Sequence, residues 1–139
     1  MNTLYTASAA ATGDGRNGHV QSTDGYIDAD VRVPKEMGGA GGATNPEQLF
    51  AAGFAACFLS ALHGSGKALS IDTTDAQVSA SVSIGKNDDG GFGLAVELDI
   101  HVPQASSEDA HAVAEKAHTM CPYSNATRGN VDVVLNIVD

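Results

Sequence analysis

Cys57 and Cys121 are the residues of this chain best suited to covalent chemistry. A thiol can pack as a small hydrophobe, ligate a metal, or act as a nucleophile that cycles between thiolate, sulfenic acid and disulfide. Cys57 follows Phe50 by seven positions and Phe54 by three, so in a helix of about 3.6 residues per turn the three share one stripe. Phenyl surroundings disfavour a thiolate, and a reactive Cys57 therefore needs a cation beside it. Cys121 stands just before Pro122, at the expected end of a helix. If the two sulfurs meet in space, they can serve as an attacking and a resolving thiol.

Cations are scarce, with 7 Lys and Arg in all. Arg16, between Gly15 and Gly18, sits in a turn that could deliver a guanidinium, and Arg128, after Asn125-Ala126-Thr127, is a second candidate. Each could equally be a solvated surface residue. Glu47 could orient an arginine through a two-point ion pair, or simply complement a helix dipole. It precedes Cys57 by ten residues, which is about 15 Å along one helix at about 1.5 Å per residue. A glutamate side chain does not cover that span, so if both serve one site Glu47 comes from another copy of the chain. His118, three residues before Cys121, offers a rival metal-ligand pair with Cys57 as a third ligand. No CxxC or HxH supports it, and His19, His63, His101 and His111 are scattered. The glycines at 38, 39, 41 and 42 lack the GK[ST] ending and the GxGxxG spacing of phosphate loops. No metal and no cofactor is expected.

The elements that must position these residues are legible from punctuation and periodicity. Strands are expected at 3–10, 17–23 and 26–33, with Asp24-Gly25 read as a two-residue hairpin turn. The glycine-rich loop from Pro34 to Thr44 either flexes freely or lies tightly against something. Asn45-Pro46-Glu47-Gln48 reads as N-cap, N1, N2 and N3 of a helix. That helix is uncharged through Leu59, so it is expected to be surrounded by protein, and Gly64-Ser65-Gly66 is expected to loosen or end it. Strands near 76–86 and 92–102 flank the turn Asn87–Gly91. An amphipathic helix from Ser106 to about Thr119 turns Ala110, Val113, Ala114 and Ala117 inward, Pro122 stops or restarts it, and a strand spans Val131–Val138. The order βββαββαβ is that of an α+β fold with mostly antiparallel sheet.

With 139 residues and 42% apolar content, the chain reads as one domain over 1–139 with a single core. Its net charge of −10 repels phosphate backbones and anionic lipid, so neither nucleic acid nor a membrane surface is an expected partner. The N-terminus carries no basic stretch ahead of an apolar run, so no secretory signal is expected. The apolar run Leu49–Leu62 is 14 residues long, short of the roughly 20 that span a bilayer, and is read as a buried helix. Two cysteines are too few for a secreted disulfide scaffold, which points to a reducing compartment and the cytoplasm.

The segments Pro34-Lys35-Glu36-Met37-Gly38-Gly39, Thr44 through Gly53, Ala56-Cys57-Phe58 and Cys121 through Asn130 resemble the organic hydroperoxide resistance proteins of the OsmC family, end to end along the chain. The resemblance implies an OsmC-like α+β fold with a long buried central helix, assembled as an intertwined homodimer with sites at the subunit interface. It implies a thiol-dependent peroxidase in which Cys57 is the peroxidatic and Cys121 the resolving cysteine, Arg16 stabilises the thiolate and Glu47 pairs with Arg16. Family members reduce organic and lipid hydroperoxides and are re-reduced by lipoylated proteins or another dithiol. Phe50, Phe54, Phe58 and Met37 are candidates for an apolar wall that would favour alkyl and acyl hydroperoxides, since burying each CH₂ contributes about 0.8 kcal/mol. Two departures stand out: Phe54 replaces a tyrosine common in relatives, and Gly64-Ser65-Gly66 replaces a bulkier helix continuation. The alternative from another class is a non-enzymatic cysteine redox sensor or stress-induced binding protein.

Overall fold

The computed structural model describes residues 1–139, which form two compact units, Met1–Leu49 and Phe50–Asp139. The first unit carries a three-stranded antiparallel sheet in the order β1 (Ala9–Thr12), β2 (His19–Ser22), β3 (Asp28–Asp30). β2 and β3 are shorter than their sequence patterns suggest, and β1 starts only at the end of the expected 3–10 strand and runs past it, with residues 3–8 outside any strand. A 3-10 turn at Gly15–Asn17 joins β1 to β2. Gly18 closes it where only glycine fits, because a Cβ there would lie 1.9 Å from the Thr12 carbonyl oxygen.

The β2–β3 connection is longer than the expected two-residue hairpin. Side-chain bonds hold the wider loop: Ser22 Oγ donates to Asp24 Oδ1 at 2.6 Å, and the Tyr26 N–H donates to the same oxygen at 3.0 Å. The glycine-rich segment lies tightly against its neighbour rather than flexing. The N–H of Gly41 donates to the Val33 carbonyl at 3.0 Å, and a Cβ on Gly39 would meet that same oxygen at 2.0 Å.

Helix α1 spans Pro46–Leu69. Its start follows the sequence: the N–H of Gln48 donates to Asn45 Oδ1 at 2.9 Å, the bond of an Asn N-cap. Its end does not, because Gly64, Ser65 and Gly66 continue the helix to Leu69. Gly66 serves packing there. A Cβ on it would sit 2.6 Å from Thr73 Cγ2, and its carbonyl accepts from Ile71 N–H at 2.9 Å. At 24 residues α1 is long and apolar enough to cross a membrane by length and composition, unlike the 14-residue run read from the sequence. Nor is it surrounded within one chain, since only Phe54, Phe58, Leu62, Ser65 and Gly66 are buried.

The second unit continues with β4 (Gln77–Lys86), β5 (Phe92–His101), α2 (Ser107–Met120), α3 (Pro122–Thr127) and β6 (Asp132–Ile137). β4 and β5 pair antiparallel through ten residues, and β6 joins β5 in parallel, the pairing that requires the α2–α3 crossover. Val96, Leu98 and Ile100 alternate inward along β5, with Glu97 and Asp99 outward. They pack with Phe54, Phe58 and Leu62 of α1 and with Ala110, Val113, Ala114 and Ala117 of α2 to make the core. Ser106 caps α2, its side chain accepting the Asp109 N–H at 3.1 Å. The result is the expected α+β fold of two mainly antiparallel sheets and one long helix.

Candidate active site

Each unit holds one pair of the singled-out residues. In the first, Arg16 lies in the 3-10 turn and Glu47 in the opening turn of α1. Arg16 Nη1 donates to Glu47 Oε2 at 2.9 Å and Nη2 to Oε1 at 2.8 Å, a two-point fork that fixes the guanidinium plane. The bond from Arg16 holds the Glu47 carboxyl below its usual range, and Glu47 raises the arginine in return. Glu47 thus meets an arginine of its own chain. The other candidate, Arg128, is tied elsewhere: it donates to the His118 carbonyl at 2.6 Å and to Asn125 Oδ1 at 2.7 Å.

In the second unit, Cys57 sits two turns into the Phe-lined part of α1, and Cys121 at the corner between α2 and α3. Their sulfurs are 3.5 Å apart although 64 residues separate them. Cys121 is fully buried and Cys57 partly exposed, and both are free thiols. Burial pushes the Cys57 thiol above its ordinary value, a Tyr123 backbone N–H opposes that, and Cys121 adds to the rise. No cation is among these influences.

Tyr123, not among the expected site residues, does more than donate that N–H. Its ring stacks on Phe50 at 5.9 Å between centroids, meets Phe54 edge-on at 5.8 Å, and covers Gly53, where a Cβ would lie 3.3 Å from Cε2. Gly53, four positions before Cys57, is the sequence signal that could have pointed to a ring lying there. His118 is bonded through Nδ1 to Ser124 Oγ at 2.9 Å, and no group of three or more His, Cys, Asp or Glu side chains is arranged to hold a metal ion.

A cavity of about 470 Å³ opens beside Cys57, walled by α1 residues including Ala61 and Gly64 and by Lys116, Met120 and Pro122. The expected wall rings Phe50, Phe54 and Phe58 are not among its lining residues. Phe54 and Phe58 are fully buried in the core, because the stripe they share with the helix's inward face is spent on packing against β5 and α2. Phe50 is half-buried under Tyr123, and Met37 lies in a 3-10 turn of the first unit. Stripe position in a sequence does not distinguish a core-facing from a cavity-facing ring.

A family model described as OsmC-like protein matches residues 39–136. The chain is 49% identical over 136 residues to the organic hydroperoxide resistance protein of Xanthomonas axonopodis pv. citri (strain 306), covering 96% of this chain and 94% of that protein. A crystal structure of an organic hydroperoxide resistance protein from Elizabethkingia anophelis, with crystallant-derived thiocyanate bound, matches with a TM-score of 0.93 at 52% identity, covering 100% of this chain and 99% of that one. The organic hydroperoxide resistance protein OhrB of Bacillus subtilis matches with a TM-score of 0.89 at 44% identity, covering 98% of this chain and 100% of that one.

Proposed function

The chain belongs to the OsmC family, in its organic hydroperoxide resistance branch, and we propose that it reduces organic hydroperoxides to alcohols as a thiol-dependent peroxidase. The observation that carries this reading is the 3.5 Å separation of the Cys57 and Cys121 sulfurs. The Cys57 thiolate attacks the outer peroxide oxygen, the O–O bond breaks, and the alkoxide leaves and takes up a proton as the alcohol. Cys57 is then a sulfenic acid. The Cys121 thiol displaces its hydroxyl as water and forms the Cys57–Cys121 disulfide, which a dithiol such as a lipoylated protein reopens by exchange.

The thiolate requires a cation, and none is among the groups that shift Cys57. In this reading a second copy supplies its Arg16, fixed by Glu47, in a homodimer. The reach of Glu47 along α1 favours that arrangement, as does the exposure of α1, of whose 24 residues only Phe54, Phe58, Leu62, Ser65 and Gly66 are buried. Cys57, Cys121, Arg16 and Glu47 form the composite site, within a single domain acting in a reducing compartment, the cytoplasm.

The test is steady-state consumption of cumene hydroperoxide with dithiothreitol and with a lipoylated protein. Multiple turnovers, abolished by Cys57→Ser, are expected; one oxidation per chain without turnover would instead identify a redox sensor. Glu47→Ala mixed with Cys57→Ser, after subunit exchange, recovers activity if the site is shared between copies.

A further inference from the structure

Cys121 belongs to neither of the helices it joins. It closes α2 and opens α3 in extended backbone, φ −65° and ψ 123°, and Pro122 brings no N–H to the junction. α3 has only 6 residues, too few to hold its own position, since isolated helices need roughly 12–15. The seat of the Cys121 sulfur is therefore set by whatever fastens α3 to α2.

Two side-chain ties cross the corner. Arg128 Nη2 donates to the His118 carbonyl at 2.6 Å, but Arg128 is exposed. The inward tie joins His118 Nδ1 and Ser124 Oγ at 2.9 Å. Ser124 is fully buried, and a buried hydroxyl left without a partner is costly. Burial, and then the Arg128 charge, hold His118 below its ordinary pKa against the opposing pull of Glu115. Near neutral pH the ring therefore carries no charge, and its Nδ1 can take the hydroxyl's hydrogen. The ring also leans on Phe58, with centroids 6.5 Å apart, and Phe58 follows Cys57 in α1. His118 thus touches α1 beside one sulfur and α3 beside the other. The peroxide cycle itself uses neither His118 nor Ser124.

Resting on the peroxidase reading above, we propose that His118 is a positioning residue for the resolving step: through Ser124 it seats the α2–α3 corner so that the Cys121 sulfur stands within closing distance of Cys57. The Cys121 thiol then displaces the sulfenic hydroxyl of Cys57 as water before a second peroxide arrives. A slack corner lets oxidation to the sulfinic acid compete.

The experiment reads closure separately from peroxide reduction. Reduced protein receives one equivalent of cumene hydroperoxide, and rapid quenching with dimedone counts sulfenic acid against disulfide over time. His118→Leu and Ser124→Ala each slow closure by about tenfold or more, since about 1 Å of misplacement between reacting groups can cost about a hundredfold. His118→Asn, whose amide oxygen reaches the place of Nδ1, restores the rate, and the double variant closes no more slowly than either single one. Ser124→Ala leaves no orphaned hydroxyl in the core, so it carries the test where His118→Leu fails to fold. A merely structural role would lower the thermal midpoint and leave the closure rate alone. Equilibration with glutathione and its disulfide gives the effective concentration of the two thiols without any peroxide, and that value falls about tenfold in both single variants. A wild type that makes no sulfenic acid, with that fall still seen in the variants, sinks the peroxidase reading and leaves the role of His118 standing. Closure and effective concentration unchanged in Ser124→Ala overturn the proposal, as does a His118→Asn protein as slow as His118→Leu.

Discussion

Replacing Cys121 with alanine separates the two sulfurs' roles with the least structural disturbance. Cys121 is fully buried, and a serine there would place a hydroxyl in the core at about 1–3 kcal/mol if it found no partner. Alanine removes one sulfur from a packed position, a loss near the low end of large-to-small changes, about 1 kcal/mol. For a chain of 139 residues that lowers the melting temperature by about 3–5 °C. The chemical consequence is larger. The sulfurs sit 3.5 Å apart, so closing to a disulfide bond of about 2.05 Å requires a shift of only about 1.5 Å. A sulfenic acid on Cys57 should therefore be consumed by Cys121 before any external reagent reaches it. Given one equivalent of cumene hydroperoxide and no reductant, the wild type should lose both thiols to a disulfide and give no dimedone adduct. Cys121→Ala should give one adduct per chain and, with excess peroxide, go on to the sulfinic acid. Mass spectrometry of the trapped protein reads both outcomes, and a thermal melt confirms the fold. Wild-type protein that retains a dimedone-reactive sulfenic acid as long as the variant does would refute the resolving role and the reasoning from distance.

Arg16→Ala should raise the titration midpoint of Cys57, followed by thiolate absorbance, and slow peroxide consumption near neutrality with recovery as pH rises; an unmoved midpoint removes Arg16 from the site. Glu47→Gln tests the fork. The Glu47 carboxyl is lowered in the folded chain by Arg16, so the pair's contribution is fully present above about pH 4.3, the unfolded glutamate value, and fades as pH falls through the folded one. With Arg16 partly solvated, the variant should be about 0.5–1 kcal/mol less stable at neutral pH, with the gap narrowing in acid; a gap constant with pH in urea melts would contradict the linkage. Gly64→Ala should stabilise by about 0.5–1 kcal/mol, because the helix gains propensity and the new Cβ meets open space. Gly66→Ala, two residues on, should cost about 1–3 kcal/mol through its clash with Thr73 Cγ2 and the Ile71 carbonyl. Equal midpoints for the two variants would show that the close approach at Gly66 relaxes freely.

The features legible in the sequence are those whose physics is local. Asn45 caps α1 because its side chain reaches an N–H three residues on, Ser106 does the same for α2, and the alternation of β5 separates Val96, Leu98 and Ile100 from Glu97 and Asp99 whatever surrounds them. The segments around the two cysteines identify the family from sequence alone. Gly64-Ser65-Gly66 looks like a helix end by propensity, yet Gly66 is there to let Ile71 and Thr73 approach, a demand made by another segment. Glu47 could have met Arg16 or Arg128, and the turn at Gly15–Asn17 decided it. Phe54 and Phe58 share a stripe with Cys57, but packing against β5 and α2 spent them on the core and left the space beside the sulfur to Lys116, Met120 and the small residues of α1. The 3.5 Å between sulfurs 64 residues apart is the product of the α2–α3 corner docking onto α1, and long-range distances of that kind arise only when every packed element has taken its place.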